Sequence, residues 1–210
     1  MKVLDEGRFI ECWSKLGTDG PRGDLKIVKR SLDVAYNDPS RFYHNLDHIR
    51  QGLIEIDKVK TLLKRPEEVE VAWYFHDAVY DAKAKDNEER SAWLAHAYLA
   101  QQGVKAEHIF RIDDMILATR HIGILKDGDE KFLVDIDLSI LGQNWDNYEI
   151  YRRSIGQEYS FVPEDQFRAG RSKVLEGFLV RPSIYQTSFF RDRYELRARE
   201  NLKREIELLK

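Results

Sequence analysis

Apolar residues return every three or four positions through most of this chain, and no segment sustains a two-residue alternation. "LKIVKRSLDVAY", "LDHIRQGLIEIDKVKTLL" and "EEVEVAWYFHDAVY" each keep that spacing, which predicts helices and argues against a half-buried sheet. "NEERSAWLAHAYLAQQG" is predicted to be capped by Asn87 and to stop at Gly103. "AEHIFRIDDMILATRH", "DEKFLVDIDLSILG", "WDNYEIYRRSIGQEY" and "EDQFRAGRSKVLEGFL" follow, the last entered through Pro163 and left before Pro182. A final helix is predicted from Tyr194 to Lys210, with Glu195–Arg199 and Glu200–Arg204 pairs at four-residue spacing. The expected fold is all-α, with eight or more helices.

The 210 residues suffice for one domain with a substantial core, and no linker divides them. The expected organisation is a single helical bundle, with a site-bearing core over about residues 24–142 and C-terminal helices over about 145–210 packed on it. Acidic and basic residues nearly cancel and no basic block stands out, so no nucleic-acid surface is expected. Cys12 is the sole cysteine, which excludes an intramolecular disulfide and any thiolate cluster. The opening "MKVLDEGRFIECW" is charged where a secretory signal would be apolar, and no stretch approaches the roughly 20 apolar residues of a membrane span. A cytoplasmic protein with no membrane partner is expected.

Three clusters break the helical pattern in a chemically pointed way. In "RFYHNLDHIRQGL", His44 and His48 stand four apart, either on one helix face or with one just before a helix and the other in its first turn. In "AWYFHDAVYD", His76 and Asp77 are adjacent inside an apolar helix, where successive side chains diverge by about 100°. Both then need a shared partner, because an unpaired buried carboxylate is costly. In "FLVDIDLSILG", Asp135 and Asp137 point to different faces, so one can enter a site while the other caps, pairs or meets solvent. Spacing does not choose between them. Imidazoles and carboxylates on separate helices suit a divalent manganese, iron, cobalt, nickel or zinc ion rather than a closed cysteine-type zinc site.

The order of these clusters resembles the HD superfamily of metal-dependent phosphohydrolases. It resembles in particular a bacterial branch with "RxYHNxxHI", "HDxxYD", "NExxSA" and "DxDLxxLG" segments, which here read "RFYHNLDHI", "HDAVYD", "NEERSA" and "DIDLSILG". "FRAGRSKVLEGFL" and "ARENL" extend the likeness to the C-terminal part. The resemblance implies an HD-type helical domain with metal ligands at His48, His76, Asp77 and Asp137. Asp137 is favoured over Asp135 because "DLS" is similar to the ligand context in cyclic-nucleotide phosphodiesterases, more distant relatives that share a "YHNxxxH" segment. By the same likeness His44 is the proton donor. The rest of their nucleotide-recognition pattern is not evident here.

The resemblance implies hydrolysis of the phosphate ester of a small metabolite or nucleotide, with a divalent cation that includes magnesium among the candidates. Two alternatives stand beside it: a di-iron oxygenase on the same fold, and a non-catalytic module that keeps a metal for structure. His121, after "RIDDMILATR", is a candidate for a second metal or a substrate phosphate, or else a cation at a helix C-terminus. Glu88 and Asp81 are candidates for orienting water, with Glu88 equally a first-turn acid. Arg168 and Arg171 are candidates for gripping a phosphate, or for surface ion pairs. His96 and His108 are assigned structural roles, and Tyr43, Trp73, Tyr74 and Phe75 are assigned to core or pocket wall. A helix face left apolar after core packing would make a second copy of the chain the expected protein partner, as a homodimer.

Overall fold

The computed structural model describes residues 2–17, 22–123, 125–126 and 128–210. Among these the protein is all-α, with ten helices and no strand. The chain divides into two compact units, Met1–Leu133 and Val134–Lys210. Among the described residues no helix is long and apolar enough to cross a membrane.

The first unit contains α1 (Glu6–Lys15), α2 (Arg22–Tyr36), α3 (Leu46–Val59), α4 (Pro66–Phe75), α5 (Asn87–Gln101) and α6 (Ala106–Ala118). Helix α4 is its axis and packs against α1, α3, α5 and α6. Pro66 starts it without forfeiting a hydrogen bond that the first turn would make. From Val69 to Phe75 its residues are buried, with Trp73, Tyr74 and Phe75 fully so, which places these aromatics in the core as expected. Glu68 is tolerated there because the Arg111 guanidinium and the His108 ring both reach its carboxylate at 2.7 Å. His108 therefore has the structural role expected of it, and His96 likewise pairs with Asp113 at 2.7 Å.

Helix α3 begins as its sequence suggests. Asn45 is its N-cap, accepting a 2.8 Å hydrogen bond from the Asp47 amide, so His44 lies just before the helix and His48 in its first turn. Helix α5 closes at Gly103, whose φ of +74° glycine adopts without steric cost. Hydrogen bonds from Gly103 N to Ala100 O and from Val104 N to Leu99 O complete the turn.

Several predicted helices differ from what forms. Helix α4 ends at Phe75, so His76 is its C-cap and Asp77 lies in the following turn rather than inside the helix. Asn87 is the first residue of α5 and not its cap, because its side-chain amide is engaged elsewhere, with the backbone of Asp81. The last helix starts at Ser188, six residues earlier than predicted, because Thr187 accepts from the Phe190 amide and caps it.

Helix α7 (Gly128–Asp137) carries the chain from the first unit into the second. A 3₁₀ turn at Leu138–Gly142 continues it, so "DEKFLVDIDLSILG" is not one uninterrupted α-helix. The second unit continues with α8 (Trp145–Glu158), α9 (Glu164–Leu179) and α10 (Ser188–Leu209), and α10 packs against the 3₁₀ turn, α8 and α9. Its interior holds a polar knot. The Arg171 guanidinium donates to Glu205 at 2.8 Å and to the Tyr151 hydroxyl at 3.1 Å, and the Tyr148 hydroxyl donates to the same Glu205.

Candidate metal centre

The end of α4 is fixed by a residue outside it. Arg41, 8% exposed, donates from Nη1 to the Asp77 carbonyl at 2.7 Å and from Nη2 to the Ala78 carbonyl at 3.1 Å. A guanidinium can serve two such carbonyls at once because its donors form a planar fork. Its plane lies over the Tyr36 and Tyr80 rings, 5.3 and 5.6 Å from their centroids.

This early stop changes what His76 and Asp77 can do. Inside a helix they would diverge by about 100°; with Asp77 in the turn, its Oδ2 comes back to 2.9 Å from the Nε2 of His76. His48 Nε2 lies 3.1 Å from His76 Nε2 and 3.6 Å from the same carboxylate oxygen. All three residues are buried, so the first unit holds a buried His/His/Asp cluster.

The His76 ring is oriented by its other nitrogen. Nδ1 lies 2.9 Å from the Trp73 carbonyl, which makes it the protonated nitrogen and directs the Nε2 lone pair into the cluster. Without a cation, burial would push the Asp77 carboxyl up, but the His76, His44 and His48 imidazoles in their protonated forms outweigh it and hold the group well below the usual carboxylate range.

These distances fit a cation. Metal–ligand bonds of about 2.0–2.2 Å give donor–donor edges of roughly 3.0 Å at right angles and roughly 3.4 Å at the tetrahedral angle. The edges of 2.9, 3.1 and 3.6 Å span that range, and His48 and His76 belong to a donor group compact enough to hold a metal ion. Two imidazoles and a carboxylate, without a thiolate, suit a borderline divalent ion.

His44 flanks the cluster. Its ring stacks on Tyr80 at 4.1 Å, meets the edge of Tyr43 at 5.0 Å, and stands 6.0 Å from the His48 ring. Tyr43 also packs against His48, so it is a wall of the site.

The turn after the His-Asp pair is fastened to α5. Val79 N–H donates to the Ser91 hydroxyl at 3.0 Å, and the same hydroxyl donates back to the Val79 carbonyl at 3.2 Å. Asn87 accepts from the Asp81 amide at 3.0 Å and donates to the Asp81 carbonyl at 2.9 Å. These contacts give "NEERSA" its structural sense. Asp81 itself is exposed and serves this turn, donating and accepting through its backbone. Glu88, between the two anchors, is half-buried, and burial with the nearby Asp77 charge raises its carboxyl while His121 opposes the rise. His121 lies three residues beyond α6 with φ +56°, a left-handed conformation that non-glycine residues seldom adopt.

The remaining candidates lie in the second unit. Asp135 is fully buried and accepts from the Gln186 amide at 2.7 Å, the Thr187 amide at 2.8 Å and the Thr187 hydroxyl at 2.7 Å. Of the two aspartates it is the one taken up by donors of the turn that leads into α10. Asp137 ends α7 and is half-buried. Arg168 pairs with Glu164 one helical turn away, and Arg171 is held in the knot with Glu205.

Sequence spacing gives no role to Arg41 or Tyr80 and assigns Trp73 only to core or pocket wall, yet all three build the site. The one available sign was that "RFYHN" and "AWYFHDAVYD" carry them beside the histidines. Compared with models of protein families, with curated proteins and with solved structures, the chain matches none.

Proposed function

We propose that the protein is a metal-dependent phosphohydrolase acting on the phosphate ester of a small metabolite or nucleotide. The observation that carries this reading is the convergence of His48, His76 and Asp77 within 3.6 Å of one another, with His44 beside them. When bound, a divalent cation supplies activation of water near neutral pH and neutralises charge on phosphoryl oxygens.

The chain's own residues would do the rest. His48 and His76 present neutral nitrogens and Asp77 the negative charge that offsets the cation. Asp137 is proposed as a fourth ligand on the strength of the motif likeness, and the commitment of Asp135 to amide donors supports that choice. His44, held against Tyr80, would give its proton to the leaving oxygen, a contribution of typically 10²- to 10⁴-fold. Glu88, with its raised carboxyl, would orient water on the Asp77 side.

A second reading, a di-iron oxygenase, is favoured by one feature: Glu88 is a carboxylate within electrostatic reach both of Asp77 and of the His121 imidazole. The test is metal identity and stoichiometry in protein purified without added metal or chelator, beside an Asp77→Ala control. Manganese, cobalt, nickel, zinc or magnesium with turnover of phosphate esters supports hydrolysis. Two irons with oxygen consumption move the oxygenase reading ahead, and bound metal without turnover leaves a non-catalytic module. A wild type that takes up no metal overturns all three.

A further inference from the structure

Both imidazoles of the cluster touch one side chain that is not a ligand. The Trp73 indole lies nearly parallel to the His76 ring, with centroids 4.1 Å apart and planes 16° from parallel, and meets the His48 ring at 4.9 Å and 59°. Its Nε1–H donates to the Ile49 carbonyl at 2.8 Å, tying α4 to the α3 residue that directly follows His48. Its own carbonyl is the acceptor that orients His76. Trp73 thus meets His76 through ring and backbone, and His48 through ring and helix.

The ring can lie there because α3 carries glycine opposite it. A Cβ on Gly52 would fall 2.0 Å from both Cε2 and Cζ2 of Trp73, closer than any real contact permits. No turn or left-handed backbone demands glycine at this position, which is inside α3. Glycine in a helix interior is unfavourable relative to alanine, so the close approach of the indole is the physical reason this site accepts it.

We infer that Trp73, seated on Gly52, is a positioning residue that sets the angle and separation of His48 and His76 for the cation; this rests on the metal reading above. An ordinary core tryptophan would contribute only packing. Trp13 supplies that comparison in the same unit: it is fully buried, packs on Phe9 and Phe75, and among the described residues its Nε1 has no hydrogen-bond partner. Outer groups that orient ligand imidazoles typically change metal affinity by 10- to 100-fold when altered.

The experiment compares full-length wild type, Trp73→Phe, Trp13→Phe and Gly52→Ala. Zinc affinity is read by chelator competition, the visible absorption of the cobalt-loaded protein reports ligand geometry, and melting of the metal-free proteins controls for folding. Trp73→Phe is expected to lose about 10- to 100-fold in zinc affinity and to alter the cobalt bands, with Trp13→Phe keeping both. Gly52→Ala leaves Trp73 and both ligands chemically intact yet displaces the ring, so it should change in the same direction and serves if Trp73→Phe does not fold. Unchanged affinity and cobalt bands in either folded site variant, or an equal loss in Trp13→Phe, would overturn the positioning role alone. A wild type that binds neither zinc nor cobalt would overturn the metal reading and this inference together.

Discussion

His48 Nε2 and His76 Nε2 lie 3.1 Å apart although the residues are 28 positions apart in the chain. Two nitrogen lone pairs facing each other at that distance repel unless a proton or a cation lies between them. With Asp77 2.9 Å from one and 3.6 Å from the other, a cation would satisfy all three donors at once. Removing one donor should therefore act on metal binding before it acts on anything else.

Asp77→Ala is expected to abolish retention of metal through purification, while His44→Ala retains it and lowers turnover by about 10²- to 10⁴-fold. Elemental analysis and a phosphate-ester assay on the same preparations check this. Equal metal loss in the two variants would show that His44 and the ligands do not divide the work as proposed.

Arg41→Ala should destabilise the first unit by about 3 kcal/mol, because it removes charge-assisted hydrogen bonds to two buried carbonyls. Arg41→Lys should recover less than half of that, since an ammonium lacks the fork that reaches both acceptors. Denaturant unfolding measures the stability, and metal content should fall with it as the turn holding Asp77 loosens.

Asn87→Ala should open the turn between Asp81 and α5 without unfolding the domain. The loss of two hydrogen bonds to the Asp81 backbone predicts a cost of about 1–2 kcal/mol and faster amide exchange at Asp81. Exchange that stays as slow as in wild type would mean that the Val79–Ser91 contacts hold the turn alone.

Burial pushes the Asp135 carboxyl up to about 6, against three donors that favour its charged form. Its ordinary value is 3.8, so the folded protein binds the proton more tightly than the unfolded chain does. The associated stability is complete below about pH 4 and is lost as pH rises through about 6, a change on the order of 3 kcal/mol. Asp135→Asn cannot titrate, so the stability difference between wild type and variant should shrink or reverse in favour of the variant as pH rises from 4 to 7. A difference that is constant with pH would show that the donors compensate the burial.

Much of the fold is visible in the chain because helix signals are local. The three- and four-residue spacing, Pro163 before α9, Asn45 before α3 and the left-handed Gly103 after α5 each act within a turn or two of themselves. Asn87 has the residue type and position of a cap, but its side chain bonds six residues upstream, where local preference does not reach. The early start of α10 depends on the Thr187 cap, while the four-residue charge pairs lie only in its later part.

Local spacing makes the protein helical and sets imidazoles and carboxylates among apolar residues, but it leaves open whether His44 and His48 share a helix face or stand on either side of a helix start. Tertiary structure decided which of them meet. Arg41 holds the turn in which α4 ends before His76, that turn brings Asp77 back, Trp73 and Gly52 bring α3 close to α4, and Asp135 is taken up by the turn before α10. Periodicity assigns a face to each residue, but convergence to within 4 Å depends on how packed helices are placed, which is a sum over contacts distant in sequence.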